Sequence, residues 1–80
     1  MKIQYEKSFL KDIRKVKDQK VKNILINVFH EVKEANRVQE ISGIVKLKGH
    51  ANAYRVKIGA YRLGFFIEDE CVIISRFLHR

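Results

Sequence analysis

Hydrophobic positions in the first part of the chain recur at strand spacing and then at helical spacing. Residues 2–6 alternate, with Ile3 and Tyr5 on one side, which predicts a short first strand. Ser8 follows at a position where its hydroxyl can cap a helix. The apolar positions of that helix are Phe9, Leu10, Ile13 and Val16. The chain therefore opens with a strand and an amphipathic helix.

A second helix is the clearest element of the pattern. "KDQK" at 17–20 interrupts the first helix, and Asp18 is placed to be the N-cap of the next one. Its apolar residues form one face at a period of 3.6: Val21, Ile24, Leu25, Val28, Phe29 and Val32. His30 lies opposite this face, so we expect a solvated side chain there rather than a ligand. Two helices joined by a tight turn form an αα-hairpin.

The period changes to two from Gly43 onward, after a loop over 34–43. The alternating segments are 45–48, 54–58 and 61–67, followed by "CVIISRFL" at 71–78, which is apolar on both faces for most of its length. The order is a strand, two helices, then three or four antiparallel strands. We therefore predict one α+β domain over residues 1–80, with both helices on one face of an antiparallel meander.

The segment "YRVKIGAYRLGFF" predicts a hairpin with its cations on one face. A two-residue loop at 59–60 places Arg55, Lys57 and Arg62 on the same side of the sheet, with Gly64 opposite Arg55. The side chains predicted to face the helices are Tyr54, Val56, Ile58, Tyr61, Leu63 and Phe65. Gly64 leaves space beside Arg55 where a ligand could approach.

The charge balance indicates what kind of partner this surface would bind. The chain has 17 Lys and Arg against 9 Asp and Glu, a net charge of +8, which favours a polyanionic partner, nucleic acid before an anionic membrane. Between Ile41 and Ile67 there is no acid, and the basic residues are Lys46, Lys48, Arg55, Lys57 and Arg62. Solubility alone does not require such segregation, so we expect this region to bind phosphate groups.

The register of the last strand decides which side chains join the basic face. If 69–70 form a two-residue loop, Arg62 pairs with Phe77. The side chains that then join the face are those of Ser75, Phe77 and His79. A shift of one residue would instead bring Arg76 opposite Arg62. On this face, His79 would be the histidine whose position suits proton transfer.

Cys71 and the N-terminal segment predict a cytoplasmic protein. A single cysteine cannot form an internal disulfide, and Cys71 lies in an apolar run, where it is expected to be a small buried hydrophobe. "MKIQYEKSFLKDIRK" has no continuous apolar stretch, so we expect neither a signal peptide nor a membrane span.

Three segments taken together resemble the RelE/ParE superfamily of toxins from bacterial toxin–antitoxin pairs. They are "KLKG" at 46–49, "YRVKIGAYRLGFF" at 54–66 and "IISRFLHR" at 73–80. The resemblance implies the RelE-like fold and favours the RelE branch, whose members cut mRNA in the ribosomal A site without a metal or other cofactor. In that reaction the ribose 2′-OH attacks phosphorus and leaves a 2′,3′-cyclic phosphate. The resemblance also implies an antitoxin partner that wraps and neutralises the toxin.

The same resemblance implies roles for individual residues. The catalytic set is Arg55 and Lys57 from the basic strand, the phosphate-stabilising Arg62, and the closing pair His79 and Arg80. For RNA binding, Phe66 or Phe77 would stack a base, and the backbone contacts would come from Lys46, Lys48 and Arg76. Many members continue to a C-terminal tyrosine beyond this point, so the resemblance leaves the general acid and base open. Two alternatives also stay open: a ParE-like protein that poisons DNA gyrase by binding, and an inactive relative that only holds an antitoxin.

Overall fold

Five strands form one sheet in the order β1-β5-β4-β3-β2, and two helices pack on one of its faces. The computed structural model describes residues 1–80. The elements are β1 Lys2–Tyr5, α1 Lys7–Arg14, α2 Gln19–Glu34, a 3₁₀ turn at Val38–Glu40, β2 Ile44–Lys46, β3 Ala53–Ile58, β4 Tyr61–Glu68 and β5 Cys71–His79. Strand β1 runs parallel to β5, and all other neighbours are antiparallel. The predicted α+β class and element order are confirmed.

The two helices begin differently. Asp18 is the N-cap of α2, as predicted, and its carboxylate accepts a hydrogen bond from the Lys20 N–H at 2.9 Å. The predicted Ser8 cap of α1 is wrong, because the N-cap is Glu6, whose side chain makes no capping bond. The Ser8 hydroxyl instead donates to the carbonyl of Ser75 at 2.7 Å, which attaches α1 to the last strand. Neither helix is long and apolar enough to cross a membrane.

The core lies between the helices and one face of the sheet. Its 13 buried side chains are Phe9, Val16, Leu25, Val32, Ala35, Ile41, Val56, Ile58, Leu63, Phe65, Val72, Ile74 and Phe77. The inward-facing residues predicted for the hairpin are therefore correct, with Tyr54 and Tyr61 half-buried against the same cluster. Leu10 and Ile24 are more than 40% exposed, so each helix buries a narrower stripe than the sequence predicts.

The hairpin β3–β4 has the predicted register. Ile58 pairs with Tyr61 across the two-residue loop, Lys57 with Arg62 and Arg55 with Gly64: these three pairs were expected from the sequence. Gly59 has a φ of 60°, in the left-handed region that glycine adopts without steric cost, which suits a tight turn between two strands. This register determines which side chains lie on each face of the hairpin.

A β-bulge changes the register between β4 and β5. Phe65 pairs with Ile74 but Gly64 pairs with Arg76, so Ser75 has no partner on β4. Beyond the bulge each side chain moves to the opposite face from the one predicted. The pairs there are Leu63 with Phe77, Arg62 with Leu78, and Tyr61 with His79. The prediction that Phe77 and His79 join the basic face is therefore wrong.

Strand β2 places Lys46 on the opposite side of the sheet from Arg55 and Lys57. Its pairs with β3 are Ile44 with Val56, Val45 with Arg55, and Lys46 with Tyr54. Paired residues share a face, so Lys46 lies on the helix side of this edge strand. Val45, which is 44% exposed, lies beside Arg55 instead. Lys48 is exposed in the turn after β2.

Candidate nucleic-acid interface

Three cations form a patch on the side of the sheet that the helices leave uncovered. Arg55, Lys57 and Arg62, here called the cationic patch, share this face because their partners across β3 and β4 do. Lys57 lies directly opposite Arg62. Like charges placed directly opposite each other destabilise a sheet, so this arrangement does not serve the stability of the fold.

No side chain of the protein neutralises the cationic patch. The one ion pair in the structure joins Arg76 to Asp12. The Nε atoms of Arg55 and Arg62 are buried and have no hydrogen-bond partner. A buried donor without a partner costs about 1–3 kcal/mol, and more when it is charged. No acid of the protein pairs with either guanidinium group, which makes the patch a candidate phosphate site.

Gly64 leaves an open space in the middle of the same face. The register places it between Arg55 on β3 and Arg76 on β5. A Cβ atom built on Gly64 would have no neighbour nearer than the Cβ and carbonyl oxygen of Arg76, both at 4.0 Å. The floor of this space is backbone, and a ligand can therefore approach the sheet closely beside the cations.

An apolar strip lies next to this space. Phe66 is half-buried on the open face and pairs with Ala53 on one side and Ile73 on the other. It is two residues along β4 from Gly64, about 7 Å at the rise of an extended strand. A ring at that distance from a phosphate site can accept the base of the same nucleotide or its neighbour by stacking.

Arg76 carries an internal partner that the sequence did not predict. Its Nε and Nη2 atoms donate to the Asp12 carboxylate at 2.8 and 3.1 Å. Asp12 is only 6% exposed, and one of its oxygens also accepts the Phe77 N–H at 2.9 Å. The hydrogen bond from Arg76 holds the pKa of Asp12 below its usual range, although burial acts in the opposite direction. The predicted RNA contact of Arg76 therefore competes with a bond inside the protein.

Asp12, which bonds to Arg76 beside the candidate site, was not identified from the sequence. The available signal was its spacing, since Asp12 is three residues after Phe9 and four before Val16. Those positions put it on the buried stripe of α1. An acid on an apolar helix face needs an internal donor, and β5 supplies three, two from the Arg76 side chain and one from the Phe77 N–H.

The C-terminal residues lie on both sides of the sheet. His79 packs edge-on against Tyr61 on the helix side, with ring centroids 5.2 Å apart, and its Nδ1 lies 3.0 Å from the Arg80 carbonyl oxygen. Phe77 is buried and stacks on Tyr61 at 4.9 Å, so it is not free to stack a base. Leu78 pairs with Arg62 and lies on the open face. Arg80 follows the end of β5, and its N–H donates to the Ala60 carbonyl at 2.9 Å.

The structure thus brings five of the predicted site residues to one face. They are Arg55, Lys57, Arg62, Phe66 and Arg76, of which Arg76 is paired with Asp12. His79, Phe77 and Lys46 lie on the other side, because of the bulge in β5 and the pairing of β2. No group of three or more His, Cys, Asp or Glu side chains is arranged to hold a metal ion.

These features define the class of protein. It is a small α+β domain in which one face of the sheet carries cations that no acid of the protein pairs with. No family model matches the chain. A curated relative, Toxin RelE3 of Methanocaldococcus jannaschii, is 33% identical over 81 residues, covering 100% of this chain and 91% of the relative. The chain therefore belongs to the RelE superfamily of toxins.

Solved structures give the same fold. The toxin–antitoxin complex RelB–RelE from Methanococcus jannaschii aligns with a TM-score of 0.83 and 29% identity, covering 95% of this chain and 88% of that chain. The intact RelBE complex of E. coli aligns with a TM-score of 0.77 and 24% identity, covering 99% of this chain and 95% of that chain. At 24% identity, this structural similarity supports the assignment of the fold and no further property.

Proposed function

We propose that this protein is the toxin of a type II toxin–antitoxin system and that it cleaves mRNA in the ribosomal A site. The observation that carries the proposal is the cationic patch, whose Arg55 and Arg62 have buried Nε donors without a partner. Membership of the RelE superfamily supports the choice of RNA as the polyanion.

The proposed chemistry needs positive charge where the reacting phosphate becomes more negative. The ribose 2′-oxygen forms a bond to the adjacent phosphorus, the bond from phosphorus to the 5′-oxygen breaks, and a 2′,3′-cyclic phosphate and a 5′-hydroxyl remain. Charge accumulates on the non-bridging oxygens in between. The guanidinium groups of Arg55 and Arg62, with the ammonium of Lys57 opposite, would hold the phosphate and stabilise that charge.

The space above Gly64 and the ring of Phe66 would position the substrate. A phosphate lying over Gly64 is within reach of cations from β3 and β4, and Phe66 would stack the neighbouring base. Such stacking contributes about 1–3 kcal/mol per base and tolerates any base sequence. These contacts would place the RNA strand across the sheet with its backbone on the cationic patch.

An antitoxin is the second proposed partner. The solved structure from Methanococcus jannaschii is a complex of a toxin with its antitoxin, and its alignment with this protein covers 88% of that chain. We propose that an antitoxin neutralises this protein as well. An antitoxin that binds only the folded toxin would also stabilise it, by mass action.

The proposal predicts codon-aligned cleavage in cells. Primer extension on mRNA from cells expressing the protein should show cuts within translated regions, in register with codons. Blocking translation initiation on a reporter mRNA should remove the cuts, because the A site would no longer be occupied on that message. Breaks in DNA linked to gyrase would instead support the ParE-like alternative. Growth without either lesion, combined with antitoxin binding, would support the inactive relative.

His79 gives a second prediction. Because its ring lies on the helix side of β5, we expect His79→Gln to retain cleavage within about tenfold of the unmodified protein. A residue that transfers protons in the transition state contributes about 10²- to 10⁴-fold. Single-turnover cleavage on programmed ribosomes measures the difference. A loss in that larger range would show that His79 reaches the substrate from the opposite face and would restore its predicted role.

A further inference from the structure

Strand β1 is an open edge of the sheet. It ends the strand order and pairs with β5 on one side only. The Lys2 and Glu6 N–H groups donate toward the β5 side, to carbonyl oxygens at 3.3 and 2.9 Å. Because successive residues of a strand point their N–H and C=O groups to opposite sides, the groups of Ile3 and Tyr5 point to the free edge. We call residues 2–6 the edge segment.

The edge segment is accessible, and apolar surface lies beside it. Its polar side chains are exposed, and Tyr5 is 44% exposed. On α2, Ile26 is 50% exposed and lies one turn before Phe29, whose ring centroid is 5.5 Å from that of Tyr5. Unpaired backbone groups next to exposed apolar side chains make an edge strand prone to pair with another chain.

The side chains of the edge segment divide between the two faces of the sheet. Ile3 and Tyr5 pair with Val72 and Ile74, which are fully buried, so both lie on the helix side. The alternation continues through Glu6, because its backbone is extended. The side chains on the open face are therefore Lys2, Gln4 and Glu6.

Lys2 and Glu6 have no charged partner within the protein. The one ion pair of the structure joins Arg76 to Asp12, and the Glu6 side chain makes no capping bond to α1. Lys2 and Glu6 lie four residues apart on one strand, about 13 Å at the rise of an extended strand, which is too far for them to pair with each other. Each is therefore available to a charge on a neighbouring strand.

The edge segment is complementary to itself in an antiparallel pair. A two-fold axis through Gln4 places Lys2 of each copy opposite Glu6 of the other. It also places Ile3 opposite Tyr5, and these are the residues whose backbone groups point outward, so each such pair can exchange two hydrogen bonds. Opposite charges, and an aromatic ring beside a β-branched side chain, are cross-strand pairs that stabilise a sheet.

Other registers of this pairing lose the complementarity. A shift of one residue would turn the helix side of one copy toward the open face of the other. A shift of two residues would place Gln4 opposite Lys2 or opposite Glu6, and neither charge would meet its counterpart. The charges thus specify one register, and the strand that supplies it is the edge segment of a second copy.

We propose that this protein forms a two-fold symmetric dimer through its edge segments, with one continuous sheet of ten strands, five from each copy. Antiparallel pairing about an axis perpendicular to the sheet keeps the helices of both copies on one side. Both cationic patches then lie on the other side and stay open, because β5 separates β1 from β4. The inference does not depend on the proposed function.

Charge reversal tests the pairing. Lys2→Glu and Glu6→Lys each replace both opposite-charge pairs by like-charge pairs, whereas the combined variant restores them with the signs exchanged. Lys48→Glu and Glu34→Lys are the matched controls, because both residues are exposed and lie outside the edge segment. Sedimentation equilibrium gives the dissociation constant of the dimer, and circular dichroism establishes that each variant is folded. At about 0.15 M salt, repulsion between the net charges of the two copies is largely screened while directly opposed charges still interact.

Each single reversal should weaken dimerisation by about tenfold or more, and the combined variant should return to within about threefold of the unmodified protein. The controls should dimerise like the unmodified protein. Damage to β1 or α1 by one substitution would not be repaired by the other, so the recovery separates pairing from folding. The edge is short, so we expect a dissociation constant in the micromolar range or weaker.

A disulfide tests the register directly. With Cys71→Ser removing the native cysteine, Gln4→Cys places two cysteines across the axis at a pair without mutual hydrogen bonds, where Cα atoms are about 4.5 Å apart. That distance permits a disulfide, so mild oxidation should yield a covalent dimer. Lys2→Cys would face Glu6 of the second copy and should remain without a cross-link under the same conditions.

A purified protein that stays monomeric up to millimolar concentration would overturn the inference. So would a dimer that the charge reversals leave unchanged, or one in which Lys2→Cys cross-links as readily as Gln4→Cys, because the contact would then lie elsewhere. None of these measurements uses RNA or cleavage. Absent mRNA cuts together with an intact dimer would reject the proposed function and leave the edge pairing standing.

Discussion

Replacing Arg62 by alanine is expected to abolish growth inhibition while the protein remains folded. The Arg62 Nε is buried without a partner, and the residue lies directly opposite Lys57. Removing it takes away an unsatisfied donor and a like-charge pair, so the free energy of unfolding should stay the same or rise slightly. Removing a donor that stabilises developing charge typically lowers the rate by about 10²- to 10³-fold.

The measurement is cleavage on programmed ribosomes alongside urea unfolding of the same samples. Arg37→Ala is the matched control, because Arg37 is exposed and forms no ion pair, and it should retain full activity. Arg62→Lys should recover part of the rate, since an ammonium keeps the charge but lacks the planar fork of donors. An Arg62→Ala protein that is folded and still toxic would remove the cationic patch from the mechanism.

The Arg62 prediction depends on the pairing of β3 with β4. That pairing could be derived from the sequence because two simple constraints determine it. Side chains alternate along a strand, and a two-residue loop sets which residues pair. Given "KIGAYR", the opposition of Lys57 and Arg62 follows, and the structure has that pairing. Alternation is informative here because one face of each strand is polar and the other apolar.

The last strand could not be predicted in the same way. "CVIISRFL" is apolar on both faces, so its pattern does not distinguish one register from the next. The bulge at Ser75 is associated with contacts distant in sequence: Ser8 donates to the Ser75 carbonyl, and Asp12 accepts the Phe77 N–H. These bonds come from α1, 65 to 67 residues earlier in the chain. The local pattern of apolar and polar residues in β5 contains no information about these bonds, which is why His79 was predicted on the wrong face.

Asp12 should be the most costly charged side chain to remove from the fold, because it is the one charged residue that is buried. Asp12→Ala would leave the buried Phe77 N–H without an acceptor and Arg76 without its partner. Because the Arg76 side chain is 52% exposed, it can rehydrate, and most of the loss comes from the buried N–H. We expect about 2–3 kcal/mol, a large part of the roughly 4–12 kcal/mol typical of a chain this size. Asp18→Ala, which removes only a helix cap, should cost about 1 kcal/mol.

The pH dependence separates the charge of Asp12 from its packing. The bonds from Arg76 and Phe77 lower the pKa of Asp12 in the folded state relative to the unfolded chain. Protonation therefore favours unfolding, so the contribution of Asp12 is complete above the ordinary aspartate pKa of about 4 and is lost as the pH falls below it. Urea unfolding at pH 7 and near pH 3 should show the stability gap between the unmodified protein and Asp12→Asn narrowing on acidification. A gap that is independent of pH would mean that Asp12 stabilises β5 by its shape and not by its charge.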